Sequence, residues 1–313
     1  METNISTPHV AILMTTFNGA RFLPAQLESI CAQSRTNWTL WISDDGSSDN
    51  TLEVIRGYRD IIGTDRLFVI SGPRLGFQRN FLGMAANDDI KADYYAWADQ
   101  DDVWLPCKLA QAMDLMEKYG RRVPVLYCGR TILVNDGNRA YGFSPLMTRR
   151  PAGFGNALMQ SLGGGNTMMF NNAARDLIRL GDAMDVPAHD WWAYMIVSGA
   201  GGHVVYDPEP TLRYRQHGRN VIGSNQGLHA KMDRVKGLLK GRYKLWNEAN
   251  IQALSQVSQR LAPGSREQLD AFIKIRQSDS PLYRLRSLKT AGLHRQTLHG
   301  DLALFLAALC KLL

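Results

Sequence analysis

Paired cysteines are absent from this sequence of 313 residues. Its four cysteines, Cys31, Cys107, Cys128 and Cys310, lie far apart, with no C-x-x-C pair and no spacing typical of a metal site. This distribution is typical of reduced, mostly buried thiols in a cytosolic protein. We also expect no signal peptide, because the first nine residues are polar and lead directly into a predicted strand.

The common glycine-rich nucleotide motifs are missing as well. The sequence contains no G-x-x-x-x-G-K-[ST], and no G-x-G-x-x-G follows its first predicted strand. An α/β nucleotide site without a glycine cradle needs another way to hold a diphosphate, and a metal ion held by carboxylates would provide one. Long apolar runs are also lacking. The run at residues 302–309 is too short to span a bilayer, which needs about 20 residues.

The composition is that of an ordinary globular protein, with 45% apolar and 21% charged residues. The length allows one large domain, or a domain with an appendage. The charge is unevenly distributed, since residues 211–313 carry 18 Lys+Arg and 6 Asp+Glu, whereas residues 1–210 carry 18 and 23. A basic tail indicates an anionic partner, either membrane or nucleic acid. We expect no nucleic acid, because no aromatic-basic repeat or nucleic-acid motif is present.

Strand-like runs alternate with helical patterns over the first hundred residues. Residues 10–14 form a continuous apolar run, typical of a strand buried on both faces, and residues 39–43 and 67–70 predict two more strands. This order predicts a doubly wound α/β sheet, mainly parallel, with helices on both faces. Ligands of such sheets bind at the carboxyl ends of the strands. Three polar loops fall there, at residues 15–19, 44–49 and 99–102.

Three carboxylates follow an apolar, aromatic strand at residues 94–98. Asp99, Asp101 and Asp102 would form a compact group of hard oxygen ligands, which suits Mg²⁺ or Mn²⁺. The alternative is an acidic turn that caps the next helix. One acid would suffice for a cap, and three would repel one another without a cation, so the pattern favours a metal.

Two further segments carry candidate ligand-binding residues. Gly164 and Gly165 belong to a run of three glycines, which permits close approach of a ligand or simply a tight turn. Asp190 stands where a predicted helix begins, so it is either an N-cap or a functional acid. Trp191 and Trp192 follow it, and they favour a sugar site because sugar rings pack their apolar faces on aromatic side chains.

Two basic side chains are also candidates. His217, beside a glycine in a strand-like basic segment, is a candidate metal ligand or phosphate contact. Arg79 is a candidate phosphate contact. The alternative for both is an ordinary polar residue at the surface.

Together these motifs resemble family 2 glycosyltransferases of the GT-A type, which have a Rossmann-like fold. The resemblance covers roughly residues 9–225, through Thr-Thr-Phe-Asn-Gly at 15–19, Asp-Asp-Gly-Ser-Ser-Asp at 44–49 and Asp-Gln-Asp-Asp at 99–102. The variant Asp-Gln-Asp-Asp-Val-Trp, with Gly-Phe-Gln-Arg-Asn-Phe upstream and Tyr-Arg-Gln-His downstream, is similar to bacterial rhamnosyltransferases of surface-polysaccharide synthesis. The Gln-x-x-Arg-Trp motif of processive members is absent, which predicts the addition of one sugar per encounter.

The resemblance implies a role for most of these candidates. Asp44 would accept a hydrogen bond from the imide N–H of the base, and Asp99 would touch the ribose. The implied nucleotide-sugar-binding residues are Thr15, Phe17, Asn18, Asp44, Asp45, Arg79, Asp99, Gly164 and Gly165.

The resemblance also implies the catalytic groups. Asp101 and His217 would bind a divalent metal, Mg²⁺ or Mn²⁺, with Asp102 as a supporting acid. Asp190 would be the general base that takes the proton from an acceptor hydroxyl. Trp191 and Trp192 would support it.

The resemblance therefore implies that the protein is an inverting, metal-dependent glycosyltransferase. The implied donor is dTDP-L-rhamnose, with a UDP-sugar as the alternative, and the implied acceptor is a lipid-linked glycan or lipopolysaccharide. An alternative from another class is a non-catalytic binding protein with a basic tail.

The sequence divides into a catalytic GT-A domain at residues 1–225 and a basic, amphipathic helical region at residues 226–313. A long helix is predicted at residues 226–261. The terminal helices would bind the anionic inner face of the cytoplasmic membrane, which makes the protein peripheral. The alternative is a helical pair packed on the sheet domain or in a homodimer.

Overall fold

The computed structural model describes residues 7–218 and 242–313. The strands are β1 (Val10–Thr16), β2 (Trp38–Asp44), β3 (Leu67–Ser71), β4 (Tyr94–Ala98), β5 (Val103–Trp104), β6 (Val125–Gly129), β7 (Ile132–Val134), β8 (Ala140–Phe143), β9 (Met169–Asn171), β10 (His203–Asp207) and β11 (Leu212–Arg215). The helices are α1 (Leu23–Cys31), α2 (Thr51–Ile62), α3 (Phe77–Ala86), α4 (Lys108–Met116), α5 (Phe154–Ala157), α6 (Asn172–Ile178), α7 (His189–Gly199), α8 (Arg242–Gln256), α9 (Pro263–Gln277), α10 (Pro281–Thr290) and α11 (Leu298–Leu309).

A seven-stranded sheet in the order β10-β6-β9-β4-β1-β2-β3 forms the centre of the fold. Its pairs are parallel except where β9 runs antiparallel to β4 and β6. The predicted, mainly parallel sheet is confirmed, and the strands predicted at residues 10–14, 39–43 and 67–70 correspond to β1, β2 and β3.

Two hydrophobic layers cover the two faces of this sheet. Alternate side chains of β1 enter different layers, as strand geometry requires: Val10, Ile12 and Met14 pack with α1 and α4, whereas Ala11 and Leu13 pack with α3, α6 and α7. The continuous apolar run is explained by this burial on both sides.

A second, four-stranded sheet in the order β5-β11-β7-β8 was not predicted as a unit. Only β11 falls on a segment with strand-like alternation, at residues 212–216, whereas β5, β7 and β8 are two to four residues long, which is too short for a period-two pattern to be evident in the sequence. This sheet places the end of β11 beside the acids that follow β4, because β5 begins at Val103 and pairs with β11.

The C-terminal helices share the core of the sheet domain. Leu254, Phe272, Leu288 and Leu304 are buried in the same hydrophobic cluster as Trp192 of α7. The inner faces of these helices therefore pack on the sheet domain, as the alternative interpretation of the sequence held. Within the described residues, no helix combines the length and apolarity needed to cross a membrane.

Two boundaries predicted for this region lie outside the described residues. They are the domain boundary at residue 225 and the start of the helix predicted at residues 226–261. Both stay predictions. The described part of that helix, α8, ends at Gln256, five residues before the predicted end.

The prediction that the cysteines are mostly buried is wrong. All four are free thiols, and only Cys128 is buried, whereas Cys31, Cys107 and Cys310 are exposed. Cys31 is the last residue of α1, and Cys107 and Cys310 flank α4 and α11. Helix ends lie at the surface, so an apolar residue type there does not imply burial.

Candidate active site

The carboxyl ends of β1, β2 and β4 lie side by side at one edge of the sheet. In the register of these parallel strands Thr16 is opposite Asp44, and Met14 is opposite Ala98. Asp99 directly follows Ala98, so the acids after β2 and β4 flank the loop that follows β1. The three polar loops therefore meet at this edge, as the sequence predicts.

The loops after β1 and β2 are tied together by hydrogen bonds. Asn18 has a φ of 48°, in the left-handed region that Asn tolerates. Its side-chain oxygen accepts a hydrogen bond from the N–H of Ser48 at 2.8 Å, and its own N–H donates to Ser47 Oγ at 2.9 Å. Thr15 is half-buried, and the ring of Phe17 is exposed. Contact of these loop residues with a nucleotide stays a prediction.

The carboxylate of Asp44 is occupied by bonds within the loop. Its Oδ1 accepts from the N–H groups of Gly46 and Ser47, and its Oδ2 accepts from the hydroxyls of Thr16 and Ser47 at 2.8 and 2.6 Å. A carboxylate offers about four lone-pair positions. The imide N–H of a base would have to share a carboxylate oxygen with one of these four donors or displace that donor. The predicted contact between Asp44 and the base stays a prediction.

Two more polar side chains connect neighbouring loops. Asp45 accepts from the N–H groups of Arg74 and Gly76, at 2.6 and 3.1 Å, which ties the Asp44–Asp45 turn to the loop after β3. Gln100 exchanges two hydrogen bonds with the backbone of Phe17, at 2.9 and 3.0 Å. Gln100 therefore faces the first loop, while the acids on either side of it form a separate group.

Asp99, Asp101 and Asp102 form an acidic cluster, in which one carboxylate oxygen of each lies within 4.8 Å of the others. Burial and the charges of Asp101 and Asp190 raise the pKa of Asp99 to about 8. Burial and the neighbouring carboxylates raise the pKa of Asp102 well above its usual value. Such crowded oxygen ligands fit Mg²⁺ or Mn²⁺. The capping alternative has little support, because α4 has Cys107 at its N-cap, with no side-chain cap hydrogen bond.

Asp102 lies at the back of this cluster and connects it to other elements. It accepts from Asn166 Nδ2 at 2.6 Å and from the N–H of Arg215 at 3.2 Å. The buried ammonium of Lys108 donates to the carbonyl of Thr167 at 3.3 Å, and burial lowers the pKa of Lys108 to about 7 while the charge of Asp102 opposes this change. Sequence reasoning missed Lys108, because a lysine at a helix start carries no signal of burial.

His217 reaches the acidic cluster two residues after β11 ends. Its Nε2 lies 2.8 Å from Asp101 Oδ2, and its ring stacks on Phe22 with centroids 4.9 Å apart. The structure therefore brings together the two residues predicted to bind metal. Carboxylate oxygen and imidazole nitrogen form a donor set that suits Mn²⁺ as well as Mg²⁺ with a retained water shell.

Asp190 is the second residue of α7. Its carboxylate accepts from the N–H of Trp191 at 2.7 Å and from the N–H of Gly165. Burial raises the pKa of Asp190 to about 6, although these two hydrogen bonds oppose the change. The N-cap position belongs to Ala188, and the charge of Asp190 is felt by Asp99. Asp190 therefore lies next to the acidic cluster, and its pKa suits a general base near neutral pH.

His189 fixes the backbone beside Asp190, and sequence reasoning missed it. Its buried ring stacks on Phe81 at 4.3 Å and meets Trp97 edge-on, and neither ring nitrogen has a hydrogen-bond partner among the described residues. Burial lowers the pKa of His189 to about 3, so the ring is neutral. A Cβ at Gly165 would lie 2.2 Å from Nε2 of this ring. Only glycine therefore allows the close approach that carries the N–H of residue 165 to Asp190.

The two tryptophans after Asp190 require a correction. Trp192 is fully buried and donates to the carbonyl of Ile178 at 3.0 Å, and Trp191 is buried and donates to the carbonyl of Ala157 at 2.7 Å. Their ring faces pack in the core, so they do not present a surface to a sugar. Both indole N–H groups bond to carbonyls of neighbouring segments, so the two side chains fix the position of α7 and thereby support Asp190.

The remaining candidates lie at the margin of the site. Arg79, on α3, donates a hydrogen bond to the carbonyl of Asp182, and its contact with a phosphate stays a prediction. Gly164 precedes the short 3-10 turn at Gly165–Thr167, and its carbonyl accepts from the hydroxyl of Thr167 at 2.8 Å. This turn joins the acidic cluster, through Asn166, to Asp190, through Gly165.

A mainly parallel sheet with acids at its carboxyl edge and a helix-borne carboxylate beside them is consistent with a GT-A glycosyltransferase fold. The sequence profile described as Glycosyl transferase family 2 matches residues 11–178, which is just over half of the chain. The chain therefore belongs to glycosyltransferase family 2, and it is a glycosyltransferase that uses nucleotide sugars. The alternative of a non-catalytic binding protein is set aside by this match.

Two relatives illustrate the similarity in sequence. The dTDP-rhamnosyl transferase RfbG of Shigella flexneri is 27% identical over 245 residues, covering 74% of this chain and 80% of the relative. A glucosyltransferase of Escherichia coli, WfgD, which is named for UDP-Glc and a diphosphoundecaprenol acceptor, is 27% identical over 130 residues. That match covers 41% of this chain and 47% of the relative.

Solved structures confirm the fold. The mannosyltransferase PcManGT of Pyrobaculum calidifontis, in complex with GDP-Man and Mn²⁺, superposes with a TM-score of 0.54 at 16% identity, covering 99% of this chain and 82% of its own. TarS 1–349 of S. aureus, in complex with UDP-GlcNAc, has a TM-score of 0.53 at 15% identity, covering 97% and 88%. At such low identity these matches establish the GT-A fold alone.

Proposed function

We propose that this enzyme transfers L-rhamnose from dTDP-L-rhamnose to a hydroxyl of a lipid-linked glycan or lipopolysaccharide acceptor, with inversion at the anomeric carbon. The observation that carries the proposal is the position of Asp190, a half-buried carboxyl at the start of α7 with a pKa of about 6, whose charge is felt by Asp99 of the acidic cluster. A base beside the groups expected to hold a diphosphate is the arrangement that a single displacement needs.

In this displacement Asp190 takes the proton from the acceptor hydroxyl. The acceptor oxygen forms a bond to the anomeric carbon on the face opposite the diphosphate. The bond from that carbon to the diphosphate oxygen breaks, and the nucleoside diphosphate leaves with the electron pair. Attack from the opposite face inverts the anomeric centre. General-base catalysis of this kind typically contributes about 10²–10⁴-fold to the rate.

Asp101 and His217 would hold a divalent cation, Mg²⁺ or Mn²⁺, with Asp99 and Asp102 beside them. Their oxygen and nitrogen atoms fit such an ion, and its charge would favour the ionised form of Asp99, whose pKa is raised by burial and by the charges of Asp101 and Asp190. When bound, the ion would neutralise the negative charge of the departing diphosphate. Two neighbours in sequence fix the segment that carries Asp99 and Asp101. Gln100 is hydrogen-bonded to the first loop, and Asp102 is hydrogen-bonded to Asn166.

The choice of donor is supported by sequence similarity to a dTDP-rhamnosyl transferase over most of both chains. A UDP-sugar is the second candidate, because a shorter stretch is similar to a transferase named for UDP-Glc. Of these two relatives only WfgD has an acceptor in its name, a diphosphoundecaprenol-linked sugar. We therefore propose the acceptor only as a class, a lipid-linked glycan or lipopolysaccharide. The site of action would be the inner face of the cytoplasmic membrane.

A panel of nucleotide sugars tests this proposal. Thermal unfolding would be followed with dTDP-L-rhamnose, dTDP-glucose, UDP-glucose and GDP-mannose, each in Mn²⁺ and in EDTA. A ligand that binds only the native state raises the unfolding temperature. We expect the largest increase with dTDP-L-rhamnose in Mn²⁺. A larger increase with UDP-glucose would move the donor to the UDP-sugars, and equal increases in Mn²⁺ and EDTA would remove the metal from the proposal.

A further inference from the structure

The outer surface of α11 is apolar and exposed. Its residues are Leu298, Leu302, Phe305, Leu306 and Leu309, and each is between 42% and 69% exposed. They recur at intervals of three and four residues, so they form one stripe along the helix, here called the α11 face. The opposite side, with Leu304, Ala307 and Ala308, is buried in the core.

The α11 face differs from the scattered leucines of an ordinary surface. Within this described helix the only charged residue is Asp301, which is buried and pairs with Arg149 and Arg150 at 2.8 and 3.1 Å. The exposed side therefore carries no charge over three turns. A contiguous apolar patch of this kind marks an interaction site.

The neighbouring helix, α10, carries exposed cations. α10 and α11 are antiparallel, because the guanidinium of Arg284 donates to the carbonyls of Ala308 and Leu309 at the far end of α11. Arg286 and Lys289 of α10 are exposed. Leu282 is 69% exposed, and it lies on the same side of α10 as Arg286 and Lys289, because the three residues follow one another at intervals of four and three.

The charges favour one occupant over another. Residues 279–313 contain five Lys+Arg and two acids. Asp301 and Arg284 are buried, and Lys311 pairs with Asp279. This leaves three cations of this described region without a paired acid, Arg286, Lys289 and Arg295. A second copy of this chain would bring two surfaces of the same charge sign together, because both partners of a two-fold interface present the same patch. An anionic lipid surface accepts both parts, since it takes an apolar helix face into the acyl boundary and attracts the cations of the neighbouring helix.

We propose that the α11 face, together with Arg286 and Lys289 of α10, docks the enzyme on an anionic bilayer. The helix lies in the interface and does not cross it. Its inner side stays packed on the catalytic domain, so docking holds the whole enzyme at the membrane rather than a detachable tail. The proposal rests on the proposed function only where it concerns a lipid-linked acceptor, and lipid binding can be measured without that acceptor.

Vesicle sedimentation of the full chain tests the docking face. Vesicles would contain either phosphatidylcholine alone or equal parts of phosphatidylcholine and phosphatidylglycerol. We expect binding to the mixed vesicles only. The double variant Leu302→Ser/Phe305→Ser should weaken binding by at least about 10-fold, because both side chains leave the acyl boundary. The matched control, Leu52→Ser/Ile61→Ser, changes two exposed apolar residues of α2 and should bind as the unaltered chain does.

A second pair of variants tests the charges. Arg286→Gln/Lys289→Gln should weaken binding by about fivefold for each cation at low salt, since each cation near such a surface contributes about 1 kcal/mol. The control Arg56→Gln/Arg59→Gln, on exposed positions of α2, should have no effect. Nucleoside diphosphate binding should be unchanged in all variants, which separates a failed docking face from a failed donor site.

Three results would overturn the proposal. The first is absence of binding by the unaltered chain to the mixed vesicles. The second is equal binding by the Leu302→Ser/Phe305→Ser variant and its α2 control. The third is a dimer in lipid-free solution, measured by light scattering, that the Leu302→Ser/Phe305→Ser variant dissociates, which would make the α11 face an interface between copies.

Discussion

Two pairs of acids at the same sheet edge have opposite surroundings. Asp44 and Asp45, after β2, accept hydrogen bonds from the loops around them, and every carboxylate oxygen of the two has a donor. Burial raises the pKa of Asp99, after β4, to about 8 and the pKa of Asp190, in α7, to about 6, and the charges of Asp101 and Asp190 add to the effect at Asp99. Asp44 and Asp45 stabilise the loops around them, whereas Asp99 is suited to lie beside a bound cation and Asp190 to accept a proton.

The difference shows why residue type alone does not assign a role. All four acids follow or precede a regular element and could be interpreted as turn or capping residues. Hydrogen bonds from the surrounding loops hold Asp44 and Asp45 in place, whereas at Asp190 the effect of burial on the pKa outweighs that of the hydrogen bonds it accepts. The following predictions change one side of this comparison at a time.

The largest effect is expected from Asp101→Asn. The amide loses the charge that would attract a divalent ion, and it leaves His217 Nε2 without its anionic partner. Affinity for Mn²⁺ should fall by at least about 100-fold, the upper end of the loss seen when an outer contact of a metal site is removed. Calorimetric titration with Mn²⁺, in the presence of dTDP, measures it. An unchanged Mn²⁺ affinity would exclude Asp101 as a ligand.

A smaller loss is expected from Gly165→Ala. The new Cβ would lie 2.2 Å from His189 Nε2, so either the ring or the turn must move, and the N–H that reaches Asp190 moves with it. A displacement of about 1 Å can reduce turnover by about 100-fold. Steady-state transfer kinetics measure it, with Gly57→Ala as the control, because a Cβ there meets no atom within 4 Å. Equal turnover by the two variants would contradict the role of this turn.

Asp44→Asn should act on stability. The amide keeps one oxygen, so two of the four donors around Asp44 lose their acceptor. A buried donor left without a partner costs about 1–3 kcal/mol. Urea unfolding measures this loss, and Asp60→Asn on the exposed surface of α2 serves as the control. If Asp44→Asn is as stable as that control while dTDP binding is abolished, then Asp44 contacts the ligand and does not mainly stabilise the loop.

The smallest effect concerns the pH dependence of stability. The folded-state pKa of Asp190, about 6, lies above the unfolded value of about 3.9. The stabilising contribution of its protonated form is therefore complete below about pH 4, and it is lost as the pH rises through about 6. The unfolding free energy should decrease over this range by a smaller amount in Asp190→Asn than in the unaltered chain. Identical slopes in the two proteins would contradict the raised pKa.

Much of the fold could be predicted from local patterns. The apolar run of β1 and the polar residues after β1, β2 and β4 are contiguous in the sequence, and parallel strands bring such loops to one edge. The paired positions of Asp101 and His217 followed from the resemblance to family 2 glycosyltransferases.

Features that depend on distant parts of the chain could not be predicted. Three such features depend on residues far apart in sequence. They are the hydrogen bond from Thr16 to Asp44, the burial of Lys108 beside Thr167, and the close approach of Gly165 to His189. Trp191 and Trp192 were placed against a sugar because aromatics favour such a contact, yet a helix between two layers buries them. The two-sided apolar character of α11 is evident in the sequence, but only the packing shows which side is covered.

The general base is the central claim, and Asp190→Asn tests it most directly. The amide preserves the shape and the acceptor oxygen toward the N–H of Trp191, but it cannot take a proton. Transfer measured as formation of the glycosylated acceptor should fall by about 10²–10⁴-fold, while binding of dTDP and Mn²⁺ persists. Transfer near the normal rate by a folded Asp190→Asn enzyme would contradict the claim and remove Asp190 from the mechanism.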